Sequence, residues 1–174
     1  MERTFLNLNF KYVDVVTMFN GRDWTVDAMC DQLRSKYRIK NPNADLLVVW
    51  IDREKQACDH QQYEARLRNT LVEEGIDNDK IAVFMPDQMT ENLILADERL
   101  IREKFGIEDY RYQSEGQNGK FVLKQMFRHH DTVYRETFHG VDLLKRCRVG
   151  RAALNSPSAA RFYAGLPPEC WWVA

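Results

Sequence analysis

No run of about 20 apolar residues occurs in this chain, so no segment reads as a membrane-spanning helix. The opening, Met1-Glu2-Arg3-Thr4, is not followed by the apolar core of a secretory signal, and a cytoplasmic protein is expected. An excess of one charge is also lacking. The 25 basic and 26 acidic residues leave a formal net charge of -1, which removes any global pull toward nucleic acid and leaves such binding to a local patch. The 4 cysteines, Cys30, Cys58, Cys147 and Cys170, are scattered and form no C-x-x-C, so reduced thiols are expected rather than a zinc site. There is no internal repeat and no low-complexity stretch. What the chain does have is 174 residues of 44% hydrophobic content, enough to bury the core of one domain. Residues 1–112 read as an α/β core and residues 113–174 as a mostly helical C-terminal part.

The pattern along the chain is that of alternating strands and helices. Residues Thr4 to Thr17 alternate loosely between apolar and polar, which suits one or two strands. From Trp24 to Tyr37 the apolar residues Val26, Met29, Cys30, Leu33 and Tyr37 recur at helical spacing. Asn41-Pro42-Asn43 breaks the chain before an apolar strand, Leu46 to Ile51. A second helix is expected from about Gln61 to Glu74, stopped by Gly75. Lys80 to Pro86 supplies another short buried strand, and Leu93 to Phe105 a further helix. A strand-helix-strand order favours parallel strands joined by a crossover. After the polar loop Gln113 to Gly119, short helical segments are expected from Lys120 to Leu166.

The chemistry-bearing residues cluster at the strand ends. Leu46 to Ile51 runs directly into Asp52-Arg53-Glu54, and acids two apart on an extended chain point to the same side. In α/β folds the carboxyl edge of the sheet is where ligands bind, and oxygen ligands there suit a hard cation such as Mg2+ or Mn2+. Glu91 and Asp97 lie just beyond the next strand and complete a candidate carboxylate cluster. Each has a bland reading beside it. A lone D-x-E is usually solvated, Glu91 suits a helix start, and Asp97, six residues on, does not share its helical face. Lys120 is either a point cation for phosphate or simply exposed at a helix start. His129 and His130 diverge by about 100 degrees on a helix and read as surface residues. Trp171-Trp172, after Pro167-Pro168, reads either as a contact surface or as a segment folded back on the core.

Taken in order, several segments resemble one family. They are Val48-Val49-Trp50-Ile51-Asp52-Arg53-Glu54, Val83-Phe84-Met85-Pro86-Asp87 and Glu91-Asn92-Leu93-Ile94-Leu95-Ala96-Asp97. Further matches are Tyr134 with His139-Gly140-Val141-Asp142-Leu143-Leu144, and Ser156-Pro157-Ser158-Ala159-Ala160-Arg161-Phe162. Together they are similar to the TOPRIM-like domain family of bacterial proteins related to RloB-type and OLD-type nucleases. The resemblance implies a TOPRIM-like, Rossmann-like α/β fold with a central, mainly parallel sheet flanked by helices. It implies metal binding by Asp52, Glu54, Glu91 and Asp97, a catalytic set of Asp52, Glu54, Glu91 and Lys120, and Mg2+ or Mn2+ as the cofactor. Arg53 and Lys55, flanking the acids, would steer the backbone of DNA or RNA. The implied activity is phosphodiester hydrolysis in anti-phage defence.

The chain departs from the family in one respect: the TOPRIM pattern opens with a strand followed by Glu-Gly, and no such element precedes Asp52. Asn20-Gly21 is the nearest substitute, and Glu2 precedes its strand. The first TOPRIM strand is therefore expected to be missing or supplied by another polypeptide, or the site to be degenerate. The second reading that follows is a catalytically degenerate or split TOPRIM-like subunit that binds a protein partner such as an ATPase.

Overall fold

A computed structural model describes residues 27–29, 31, 32, 35, 46–53 and 59–166. The strands expected between Thr4 and Thr17, the question of a first TOPRIM strand, Glu54, Lys55, Cys30, Cys58, Cys170 and the Trp171-Trp172 end lie outside the described residues. Residues 27–29, 31, 32 and 35 are helical, within the helix expected from Trp24 to Tyr37.

Strand β1 (Leu47–Trp50) pairs in parallel with β2 (Ile81–Phe84), with Leu47 opposite Ile81 and Trp50 opposite Phe84. The pairing continues past β1, where the Ile51 N–H donates to the Phe84 carbonyl at 3.0 Å. Helix α1 (His60–Glu73) makes the crossover. Asp59 starts it by accepting from the Gln61 and Gln62 N–H groups at 2.9 and 3.3 Å. Gly75, at φ +88°, stops it, with Gly75 N–H on the Val72 carbonyl and Ile76 N–H on the Leu71 carbonyl. That is a left-handed glycine cap of the Schellman type, which explains why Gly75 ends the helix.

Every residue of β2 is buried because both of its faces are covered. Ile81 and Val83 join Leu67 and Leu71 of α1 in one apolar layer. Ala82 and Phe84 point the other way, into a larger core that includes Leu93, Ile101, Phe127, Leu143 and Phe162. The described residues are thus mixed α/β, mostly helical around a two-stranded parallel sheet. The larger core takes side chains from both before and after residue 112.

The expected helix from Leu93 to Phe105 is two helices, α2 (Glu91–Ala96) and α3 (Glu98–Phe105), broken at Asp97. Asp97 leaves helical geometry at φ −79° and ψ 76°, and its carboxylate caps the Leu100 N–H at 3.2 Å. The C-terminal part holds α4 (Gly119–His129), a π-helical turn (Glu136–Gly140), α5 (Val141–Arg146), α6 (Val149–Ala152) and α7 (Pro157–Ala164). These are the short helical segments expected after Lys120. Ser156 caps α7 by accepting from the Ala159 N–H at 3.1 Å, with Pro157 in the first turn. Among the described residues no helix is long and apolar enough to cross a membrane.

Candidate active site

The carboxyl end of β1 delivers Asp52 to the start of α2. One oxygen of Asp52 accepts from the Thr90 N–H at 2.9 Å and from the Thr90 hydroxyl at 2.5 Å. The same hydroxyl accepts from the Trp50 indole N–H at 2.7 Å. Asp52 is therefore held by a residue one position before Glu91, and the two acids come from different βα connections as expected. Arg53, on the neighbouring position, forms an ion pair with Asp87 in a half-buried setting. Its charge, expected to steer a nucleic-acid backbone, is matched within the fold by Asp87.

Glu91 is 8% exposed. Burial is the largest influence on its carboxyl and raises its pKa above the ordinary carboxylate value. Its own backbone N–H and the Lys120 ammonium oppose that shift, while the charges of Asp52 and Glu136 add to it. Lys120 completes the group: its ammonium meets a Glu136 carboxylate oxygen at 2.9 Å. The bond to Glu136 raises the Lys120 pKa, burial opposes this, and Glu91 and Asp52 assist. The Tyr134 hydroxyl donates to Glu91 Oε1 at 3.4 Å, and burial raises its own pKa, so it stays a neutral donor at neutral pH. The charges of Asp52 and Lys120 thus act on Glu91, and those of Asp52 and Glu91 act on Lys120. Glu136, Tyr134 and Thr90 are members that the sequence reading did not assign. Thr90 is legible as a helix-start residue beside Glu91. Glu136 carries no such mark, because an irregular turn brings it to Lys120.

Asp97 is engaged elsewhere. It is fully buried, and besides capping α3 it accepts from the Arg148 N–H at 2.9 Å and from Arg151 Nε and Nη2 at 2.8 and 2.7 Å. This fork binds α3 to α6. His130 and His139 bond to backbone groups, His130 to the Phe105 carbonyl at 3.2 Å and His139 to the Arg135 N–H at 2.9 Å. Among the described residues no group of three or more Asp, Glu, His or Cys side chains is placed to hold a metal ion.

Two residues fix this geometry. The Asn92 side-chain amide donates to the carbonyls of Asp87 at 2.8 Å, Gln117 at 3.0 Å and Glu115, and so clips the loop before α4 to the start of α2. Gly119 lets α4 sit close enough. A Cβ there would stand 2.5 Å from Asn92 Oδ1, 3.0 Å from Asn92 N and 3.1 Å from the Glu91 carbonyl carbon. Two of those are backbone atoms that cannot swing away. Gly119→Ala is expected to cost about 1 to 3 kcal/mol through overpacking and to displace α4, with Lys120, from the start of α2. Chemical denaturation checks this, and a loss below about 0.5 kcal/mol would contradict the close packing.

The raised carboxyl of Glu91 also fixes a pH dependence. Its folded pKa lies above the unfolded one, so the native state keeps the proton over a window in which the unfolded chain has released it. The fold is favoured on the acid side of that window, and stability falls as pH rises through it. Glu91→Gln removes this penalty and keeps an acceptor for Tyr134, so its Tm at neutral pH should exceed that of the wild type in chelator. The two should converge as pH falls below the ordinary glutamate range. Equal Tm values at neutral pH would show that burial does not oppose the charge.

No protein-family model, no curated protein and no solved structure matches this chain.

Proposed function

We propose that this chain is a cytoplasmic, metal-dependent nuclease of the TOPRIM type, built on a TOPRIM-like, Rossmann-like sheet and acting on DNA or RNA in anti-phage defence. The observation that carries the reading is geometric: Asp52, at the carboxyl end of a parallel strand, accepts from Thr90 immediately before Glu91, and Lys120 lies near enough for both acids to act on its charge. The charges of Asp52 and Glu136 add to the cost of ionising Glu91, and a divalent cation is the natural relief for carboxylates that repel. Their oxygens, with Glu54 next along the chain, are the donor type that Mg2+ and Mn2+ prefer. When bound, such a cation supplies an activated water and charge stabilisation for the leaving oxygen. Lys120 places a positive point charge beside the scissile phosphate, and the Tyr134 hydroxyl orients Glu91. In the reaction a water oxygen bonds to phosphorus, the ester P–O bond breaks, and the leaving oxygen takes up a proton.

The second reading, a degenerate or split TOPRIM-like subunit that binds a partner such as an ATPase, draws on two observations. Lys120 is already paired with Glu136 at 2.9 Å, and Asp97 is held by Arg151 at 2.7 Å. The experiment that separates the readings is nicking of supercoiled DNA, and cutting of single-stranded DNA and RNA, with Mn2+ and with chelator. Cleavage that needs the metal is expected. Intact substrate under every condition would turn the assignment to the non-catalytic subunit.

A further inference from the structure

Beside the candidate site lies an open pocket of about 690 Å³, between the end of α3, the end of α4, the π-helical turn and α5. Its wall is aromatic. Phe127 packs on Phe105 at 5.1 Å and on His139 at 4.6 Å between ring centroids, and Phe138 stands edge-on to His139 at 5.0 Å. Phe138 is nevertheless 68% exposed, an apolar ring offered to solvent above a stack of others. Lys104 and Lys145 stand at the rim, exposed and without an ion pair among the described residues. Both histidines are held by backbone groups in the same tautomer. His139 accepts at Nδ1 from the Arg135 N–H and so carries its proton on Nε2, and His130 meets the Phe105 carbonyl through Nε2 and keeps Nδ1 as an acceptor.

The pocket and the acidic site share one structural element. In the π-helical turn, Glu136 pairs with Lys120 while Phe138 and His139 line the pocket. Gly140 closes the turn under Tyr134, where a Cβ would lie 2.7 Å from the hydroxyl that donates to Glu91. A ligand seated on Phe138 is thereby bonded, through the turn, to the residues around Glu91. An exposed ring, Phe138, beside the half-buried His139 and flanked by Lys104 and Lys145, with Asp142 the one carboxylate in the lining, fits flat bases strung on a phosphate backbone, since each base has a face to stack and each phosphate a charge to meet. A duplex keeps its bases stacked on one another and cannot offer such a face.

We propose that this pocket is a subsite for an unpaired nucleotide of single-stranded nucleic acid, its base stacked on Phe138 and His139 and its phosphates held by Lys104 and Lys145. The proposal rests on the nuclease reading and specifies its substrate: a single strand threaded from this pocket to the acids. It is tested by fluorescence anisotropy of the full chain with labelled single-stranded DNA, single-stranded RNA and the matching duplex, all in chelator so that cleavage plays no part. The expected result is salt-sensitive binding of at least one single strand in preference to the duplex. Phe138→Ala should weaken it about tenfold, and the Lys104→Gln, Lys145→Gln pair should weaken it and flatten its salt dependence. Phe138 and both lysines are exposed, so unchanged Tm values will confirm that the variants fold. Absence of wild-type binding, equal binding of duplex, or unchanged affinity in Phe138→Ala would overturn the subsite. Cleavage that survives with Phe138→Ala at wild-type affinity sinks the subsite and leaves the nuclease reading standing. Strand binding lost in Phe138→Ala, with no cleavage under Mn2+, does the reverse.

Discussion

Asp52→Asn is expected to lower metal-dependent cleavage by about a thousandfold or more while leaving the fold in place, because cation coordination contributes several kcal/mol to the transition state. The choice of substitution matters. Asp52 has a structural duty as well as a candidate chemical one: it accepts the N–H and hydroxyl of Thr90 at the start of α2. Alanine would leave those donors unsatisfied and confound lost folding with lost chemistry. Asparagine keeps an acceptor oxygen for Thr90 and removes only the charge that a cation needs. The variant should therefore unfold with nearly the wild-type midpoint, and Mn2+ should raise the Tm of the wild type but not that of the variant. A wild-type rate in Asp52→Asn would remove Asp52 from the catalytic set.

The largest effect on stability is expected at Asp97. Asp97→Ala should cost about 3 to 5 kcal/mol, the range for removing one member of a buried ion pair. The carboxylate is fully buried and serves four donors at once: the Leu100 and Arg148 N–H groups and two nitrogens of Arg151. Arg151 retains some contact with water, its side chain being 33% exposed, which places the expected loss toward the lower end. Urea denaturation measures it directly, by a fall in the midpoint at unchanged slope. On the resemblance Asp97 would be a metal ligand, and the two roles separate cleanly: loss of a structural carboxylate lowers stability equally with and without Mn2+. If Asp97→Ala lowered stability only when Mn2+ was present, the metal role would be the correct one.

How much of this was legible in the sequence depended on whether the cause was local. The crossover helix was, because its Leu67 and Leu71 face and its Gly75 stop are local, although its cap at Asp59 was not read. So were β1 and β2, short apolar runs bounded by polar residues. The break at Asp97 was not, since the periodicity of Leu93 to Phe105 runs through it. What holds the break open is Arg151, a residue 54 positions away. The same division holds at the site. Asp52 stands out because an apolar strand runs up to it, and Glu91 because it opens the helix beyond the next strand, whereas Glu136 meets Lys120 only through a π-helical turn that has no repeating pattern to read. Arg53 illustrates the converse: a basic residue beside acids reads as a cation for a ligand, yet Asp87, on the next strand's connection, answers it within the fold.

Trp50, Phe84 and Phe162 meet in a single aromatic cluster, with ring centroids 4.7 Å apart for Trp50 and Phe84, 5.7 Å for Trp50 and Phe162, and 5.0 Å for Phe84 and Phe162. The first of these rings sits two residues before Asp52 and the last lies in α7. During synthesis the acidic residues leave the ribosome well before the ring that completes their support. A nascent chain would carry every candidate catalytic group and still lack the packing that aligns them. The support beneath this strand end therefore waits until α7 has been synthesised and has folded back on the sheet.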